Sequence, residues 1–407
     1  MDSDKKFHRR YIHQWLLVLL LLGGTTIGFN YLVDPYGLFD TARIPGFNEK
    51  KPLAASHVRM VKPYQVMRFA PVTLIMGNSR PEMGLDPANR CWSAANRPVF
   101  NLSLPGSSIY MQARVIQHAL SNNQVKQLFW GLDFVDFFKP HALNTSHWNP
   151  EHRKQPFEER LKVNMDGAVN SNYWLKSVED HFKALFSLDA LEHSMATLVA
   201  QNDSFASTIR RDGFNPAREY LKIIRWEGQR VLFEQKQKEL KKIFSRDDLS
   251  LYVPGRDWSP EFEDVQRLLD YAAARNVRVT LFMNPYHLAY LTIIHSKGHW
   301  EAFEEWKRQL SRIAAQNGVT LWDFALINEL TTEPFPPVAE KAAVMHWFWE
   351  PAHYRKEFGN LMMSQMLKQR CSSKAPFDVG IPLTPDALEI HLAQSRLKLK
   401  RHIQRSH

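Results

Sequence analysis

The chain has 407 residues, 44% of them hydrophobic and 23% charged, a balance that excludes intrinsic disorder and allows one large core or two smaller ones. A formal charge of +10 suits any polyanion, whether nucleic acid, anionic membrane or acidic polysaccharide, and does not choose among them. Two cysteines, Cys91 and Cys371, exclude a thiolate zinc site and a disulfide framework; they either pair in an oxidising compartment or serve as small core residues.

The first element is apolar. From Trp15 to Val33 the chain runs WLLVLLLLGGTTIGFNYLV without a charge, enough at ~1.5 Å per helical residue to cross a hydrocarbon layer of ~30 Å. Lys5, Lys6, Arg9 and Arg10 precede it, so by the positive-inside tendency the N-terminus stays cytoplasmic and the rest is exported. A cleaved signal peptide is the rival, but no small-x-small site precedes Asp34. Residues 1–34 are therefore expected to form a cytoplasmic stub and a single-pass anchor in the inner membrane, and the Pro/Lys-rich stretch up to Pro71 a tether and loop.

An α/β grammar follows. VTLIM (Val72 to Met76), VFNLS (Val99 to Ser103) and QLFWGLDF, ending near Asp133, are apolar runs that stop at turn residues, with an amphipathic helix from Tyr110 to Leu120 between the second and third. Residues 141–253 lose this alternation; stretches such as EQKQKELKKIF predict a half-solvated helical insertion. Alternation resumes with a helix from Phe262 to Ala274, strand VRVTLFMN (Val277 to Asn284), a helix from Glu301 to Gln316 and strand VTLWDF (Val319 to Phe324). A helix from Arg355 to Leu367 is expected to close the domain. Residues 35–140 and 254–372 then form two parts of one domain, and 373–407 a basic tail, a solvated helix more readily than a membrane-surface contact.

Three segments carry chemistry. Ser79, in GNSR, ends the first strand, where an open parallel sheet binds its ligands; alone, such a serine more commonly caps a helix. Glu350-Pro351-Ala352-His353 supplies, in one short segment, an imidazole to take a hydroxyl proton and a carboxylate to orient it. Gly106, in LPGSS, can present an N–H to a developing oxyanion, although a loop glycine needs no such role. Arg80, His287 and Trp349 are weaker candidates to line the same crevice, His287 being more readily a structural histidine. His287, His295 and His299 have no acidic or thiol partner at ligand spacing, so no metal is expected, nor any other cofactor.

In that order, GNSR, PGSS, Gly131-Leu132-Asp133 and WEPAHY resemble the SGNH hydrolases, and within them the alginate O-acetyltransferase-like branch of anchored, exported proteins acting on surface polysaccharides. MNPYH (Met283 to His287) and LWDF fall in the order that branch uses. The resemblance covers roughly Val72 to Phe138 and Val277 to Leu367. It implies an SGNH, flavodoxin-like, three-layer fold with a parallel sheet and helices on both faces. It also implies Ser79 as nucleophile, His353 as base and then acid, Glu350 as its orienting partner, and the Ser79 and Gly106 amides as oxyanion donors. The family's third-block asparagine is Asp133 here, and a carboxylate aimed at an oxyanion repels it unless protonated.

The expected activity is O-acyl transfer, most readily O-acetyl, onto an extracytoplasmic polysaccharide through an acyl-Ser79 intermediate. The resemblance further implies a multipass membrane protein as source of the acyl group. A carbohydrate esterase or deacetylase differs only in what resolves the intermediate. A non-catalytic scaffold binding glycan or a membrane synthesis complex is the reading Asp133 favours. Nucleic-acid binding draws on net charge alone and is set aside, because export removes the partner.

Overall fold

The computed structural model of the protein describes residues 2–141, 153–337, 340–369 and 378–405. It is a mixed α/β structure with fourteen α-helices among the described residues. The central strands are β1 (Thr73–Met76), β2 (Val99–Asn101), β3 (Gln127–Leu132), β6 (Arg278–Met283), β7 (Thr320–Asp323) and β10 (Ile381–Pro382), in the order β10-β7-β6-β3-β1-β2. All pair in parallel except β10, which runs antiparallel to β7. The expected strands are present, each one or two residues shorter than its apolar run. Short strands remain at β4 (Lys139–Pro140), β5 (Leu249–Ser250), β8 (Phe348–Glu350) and β9 (His353–Tyr354).

The helices are α1 (Asp2–Val33), α2 (Val58–Phe69), α3 (Ser79–Gly84), α4 (Ile109–Leu120), α5 (Phe134–Phe137), α6 (Tyr173–Leu185), α7 (Leu188–Val199), α8 (Arg218–Glu227), α9 (Gln229–Phe244), α10 (Pro260–Ala273), α11 (Leu288–Ser296), α12 (Trp300–Gln316), α13 (Lys356–Met366) and α14 (Pro385–Arg405).

Strand alternation divides the core. Leu74, Met76, Leu128, Trp130 and Leu281 face one layer with α4, α10 and α12. Ile75, Phe129 and Phe282 face the other, with Tyr354 and with Phe358, Leu361 and Met362 of α13. Both faces are therefore covered, which is why these strands are continuously apolar. After β2 the chain crosses β1 to place β3 on its other side, so strand order reverses at β1, the place where open α/β sheets leave a crevice.

Residues Phe7–Val33 of α1 are long and apolar enough to cross a membrane, and almost none of that stretch is covered by protein. Four of the helices, α6 to α9, lie between β4 and β5, whose antiparallel pairing brings the two ends of the intervening chain together.

Three expectations fail. The stretch before Pro71 is not all loop: α2 forms there and tolerates Pro63, and its Lys62 is fully buried because Glu82 and the Ser103 carbonyl take its ammonium at 2.8 and 2.6 Å. Nor does α13 close the domain, since β10 adds a sixth strand. The tail is not simply solvated either; α14 packs along α12, burying Leu388, Leu392 and Leu399 while Arg396 pairs with Glu304 at 2.6 Å. Its leucines recur at helical spacing among the basic residues, so one face is apolar and the charges face water. Cys91 is fully buried, and Cys371 lies outside the described residues.

Candidate functional site

Ser79 is the first residue of α3, where β1 ends. Asn78 caps that helix, its Oδ1 accepting from Arg80 N–H at 3.0 Å. Gly77 lets the turn pass close over the sheet: a Cβ there would stand 2.6 Å from the Pro81 ring and 2.9 Å from the Gly131 carbonyl. At the other end of α3, Gly84 meets Gly359 of α13 at backbone contact, with no room for a side chain on either. That crossing draws α3 against the segment just ahead of α13, which carries His353.

The result is a hydrogen-bonded chain across 274 residues of sequence. Ser79 Oγ lies 2.7 Å from His353 Nε2, and His353 Nδ1 bonds to Glu350 Oε1. The other Glu350 oxygen accepts from Ala352 N–H at 2.8 Å. Burial would raise the Glu350 carboxyl, but the His353 imidazole, then Lys236 and the Ala352 N–H, outweigh it and hold the group below its ordinary value. With Nδ1–H given to a carboxylate, Nε2 is left to accept the serine proton. Ser79 is half-buried, while Glu350 and His353 are buried.

Several contacts fix the His353 segment. The His287 backbone N–H donates to the Pro351 carbonyl at 3.1 Å. Arg80 Nε donates to the Ala352 carbonyl at 2.7 Å. From α9, Gln229 donates to the carbonyls of Phe348 and Trp349 at 2.7 and 3.0 Å.

The remaining sequence candidates occupy other positions. Asp133 is completely buried and serves as an acceptor hub for Asn78 Nδ2 (2.6 Å), Asn284 Nδ2 (3.0 Å), Tyr286 OH (2.8 Å) and the Arg80 guanidinium (3.0 Å). Its oxygens face donors, so the carboxylate neither serves as an oxyanion donor nor stands free to repel one. Arg80 gives Nε to the Ala352 carbonyl and Nη1 to Asp133, and it lies beside the rings of Tyr286 and Tyr290, at 5.2 and 5.6 Å from their centres. His287 caps α11 through Nδ1, which accepts from Ala289 N–H, and its Nε2 donates to the Glu333 carbonyl at 3.0 Å; it is structural. Gly106 is exposed in the loop after β2 at φ 60°, its carbonyl held by Arg59. That loop joins the serine turn through Leu104 N–H, which donates to the Gly77 carbonyl at 2.9 Å.

Trp349 is buried next to Glu350 in β8 and is linked to the His353 ring through a residue that sequence reasoning missed. Tyr220, on α8, stacks on Trp349 with ring centres 5.7 Å apart and lies 6.2 Å from the His353 ring. Burial and then the Glu350 charge push its hydroxyl upward, so it stays protonated. Met83, Leu232 and Trp349, with Tyr220 and Ile223 against them, make this flank apolar. No local pattern marks Tyr220, since only the fold brings α8 to this crevice.

A cavity of about 640 Å³ lies elsewhere, between α4 and α10, and is lined by residues including Arg114, Glu158 and Tyr271; neither Ser79 nor His353 borders it. It has nothing resembling the hydroxyl–imidazole–carboxylate chain. Among the described residues no group of three or more His, Cys, Asp or Glu side chains is placed to hold a metal ion. No protein-family model matches the sequence, and no curated protein matches it.

Proposed function

We propose that this protein is a serine-dependent O-acyltransferase with an SGNH-hydrolase-like domain, anchored by α1 in the inner membrane and acting on an extracytoplasmic polysaccharide. The observation that carries the chemistry is the contact of Ser79 Oγ with His353 Nε2 at 2.7 Å, with Glu350 on the far nitrogen. Ser79 Oγ attacks the acyl carbonyl as His353 takes its proton, and the leaving group departs with that proton. A sugar hydroxyl then gives its proton to His353, attacks the acyl-serine and carries the acyl group away, restoring Ser79. The Ser79 and Gly106 N–H groups are the proposed oxyanion donors.

The anchor reading rests on the uncharged run in α1 and on Lys5, Lys6, Arg9 and Arg10 before it, which favour a cytoplasmic N-terminus and an exported domain. The flank made by Tyr220, Trp349 and Met83 favours transfer over hydrolysis, because an apolar wall beside the acyl-serine limits water. An esterase would share every step up to that intermediate. The resemblance implies delivery of the acyl group by a multipass membrane protein, and the net charge of +10 suits an acidic polymer.

The test is turnover of a chromogenic acetyl ester by the full chain in detergent, with and without an oligosaccharide acceptor. Ser79→Ala and His353→Ala should each lower release by about 1,000-fold or more. Equal release by wild type and both variants, all folded, would overturn the reading; release that the acceptor leaves unaltered would favour the esterase.

A further inference from the structure

The helix α6 has its apolar face on the wrong side for a water-soluble domain. Trp174, Leu175, Val178 and Phe182 recur within about a third of its circumference, with Phe186 and Leu188 following at its tip, and all six are exposed, Leu188 by 84%. The face turned inward is small and carries a charge: it buries Ala184 and Asp180, the latter paired with Arg160 at 2.6 Å and with the Tyr64 hydroxyl at 2.8 Å. An ordinary surface helix has the opposite arrangement. The charges at the edge of the apolar face pair with each other, Glu179 taking Lys176 at 2.8 Å and Lys183 at 2.5 Å.

What covers this face follows from where the hairpin of α6 and α7 sits, which is against α1. A Cβ at Gly23 would touch the Phe186 ring at 3.4 Å. Nearer the outer end of α1, Asn30 donates to the Leu185 carbonyl at 2.9 Å and accepts from the Ser194 hydroxyl at 2.7 Å. Gly23 lies ten residues before Val33, about 15 Å along the helix, and the headgroup layer takes up only some ~5–7 Å of that length. A side chain in contact with Gly23 is therefore at acyl-chain depth once α1 spans a bilayer.

We infer that the hairpin of α6 and α7 is a second membrane contact, which dips the apolar face from Trp174 to Leu188 into the outer leaflet beside α1 and holds the domain at a fixed tilt on the bilayer. The ligand is lipid acyl chains. The inference rests on the anchor reading above and goes beyond it, because a lone span leaves the domain free to swing whereas two contacts orient it. Exposed Asp189 and Glu192 on α7 keep the dip shallow, the depth at which interfacial helices lie.

The full chain in phosphatidylcholine–phosphatidylglycerol vesicles containing a diazirine-bearing acyl lipid would be irradiated and its adducts mapped by peptide mass spectrometry. Adducts on both α1 and residues 174–188 are expected, and the double variant Phe182→Glu, Phe186→Glu should lose those on the hairpin roughly tenfold while α1 stays labelled. Adducts on α1 but none on the hairpin would overturn the inference and leave the anchor standing. Adducts on neither would overturn both. If the hairpin were labelled in pure lipid but protected in native membranes, with α1 still labelled, a protein would be the occupant and the lipid assignment would fall.

Discussion

Asp133 is where the sequence pattern and the chemistry diverge. Read in line, it replaces an asparagine expected to donate to an oxyanion, and that substitution argues for lost catalysis. In the fold it is the anion that holds Arg80, Asn78, Asn284 and Tyr286 around the serine turn. Asp133→Asn therefore strips a buried guanidinium of its counter-charge and is expected to lower unfolding stability by about 3–5 kcal/mol rather than improve turnover; denaturant titration measures it. Its neighbour Asp136 carries a pH signature. Burial, then the Asp133 charge, push the Asp136 carboxyl up to about 7 against the pull of Arg80, Asn78 and Gln112. The folded state thus binds this proton more tightly than the unfolded chain does, so the group's contribution to stability is full below pH about 4 and is lost as pH rises through about 7. Asp136→Asn should flatten the fall in Tm across that window, and a variant Tm that tracked wild type at every pH would contradict this assignment.

Among the elements, α3 is only six residues long and is held by its surroundings more than by its own hydrogen bonds. Lys62 reaches it from α2, and Asn215 takes the other Glu82 oxygen at 3.3 Å and donates its own N–H to the Glu82 carbonyl at 3.1 Å. Lys62→Met leaves Glu82 buried without its cation and should cost about 3–5 kcal/mol, with Glu82→Gln in the same chain restoring part of it. Because α3 carries Ser79, the single variant should also lose more esterolysis than its residual folded fraction explains. The sequence showed a serine after a strand but not this brace. A lysine and a proline in a short window ordinarily mark loop, and the carboxylate that lets this lysine be buried within a helix is 20 residues away. The same limit hid the role of α8, whose Tyr220 has no motif around it.

At the scale of the whole molecule, the strands and the helices flanking them were legible because a sheet covered on both faces demands continuously apolar runs, and such runs end at glycine, asparagine or proline. The apolar helix α1 was legible for a similar reason: an uncharged run of that length shows in the sequence without any tertiary partner. The order of GNSR, PGSS and WEPAHY also pointed to one crevice, and Ser79 and His353 do meet there. The sequence by itself thus determined composition class, the strand and helix alternation, the apolar N-terminal helix and the serine, histidine and glutamate types of the candidate site, all matters of local pattern. Only the tertiary structure decided that β1 sits at the reversal of strand order, that Gly84 and Gly359 bring serine and histidine into contact, that Asp133 faces a guanidinium, two amides and a phenol, and that α6 turns its apolar face outward beside α1. Each of these depends on groups far apart in the chain, whose burial and partners no local pattern encodes.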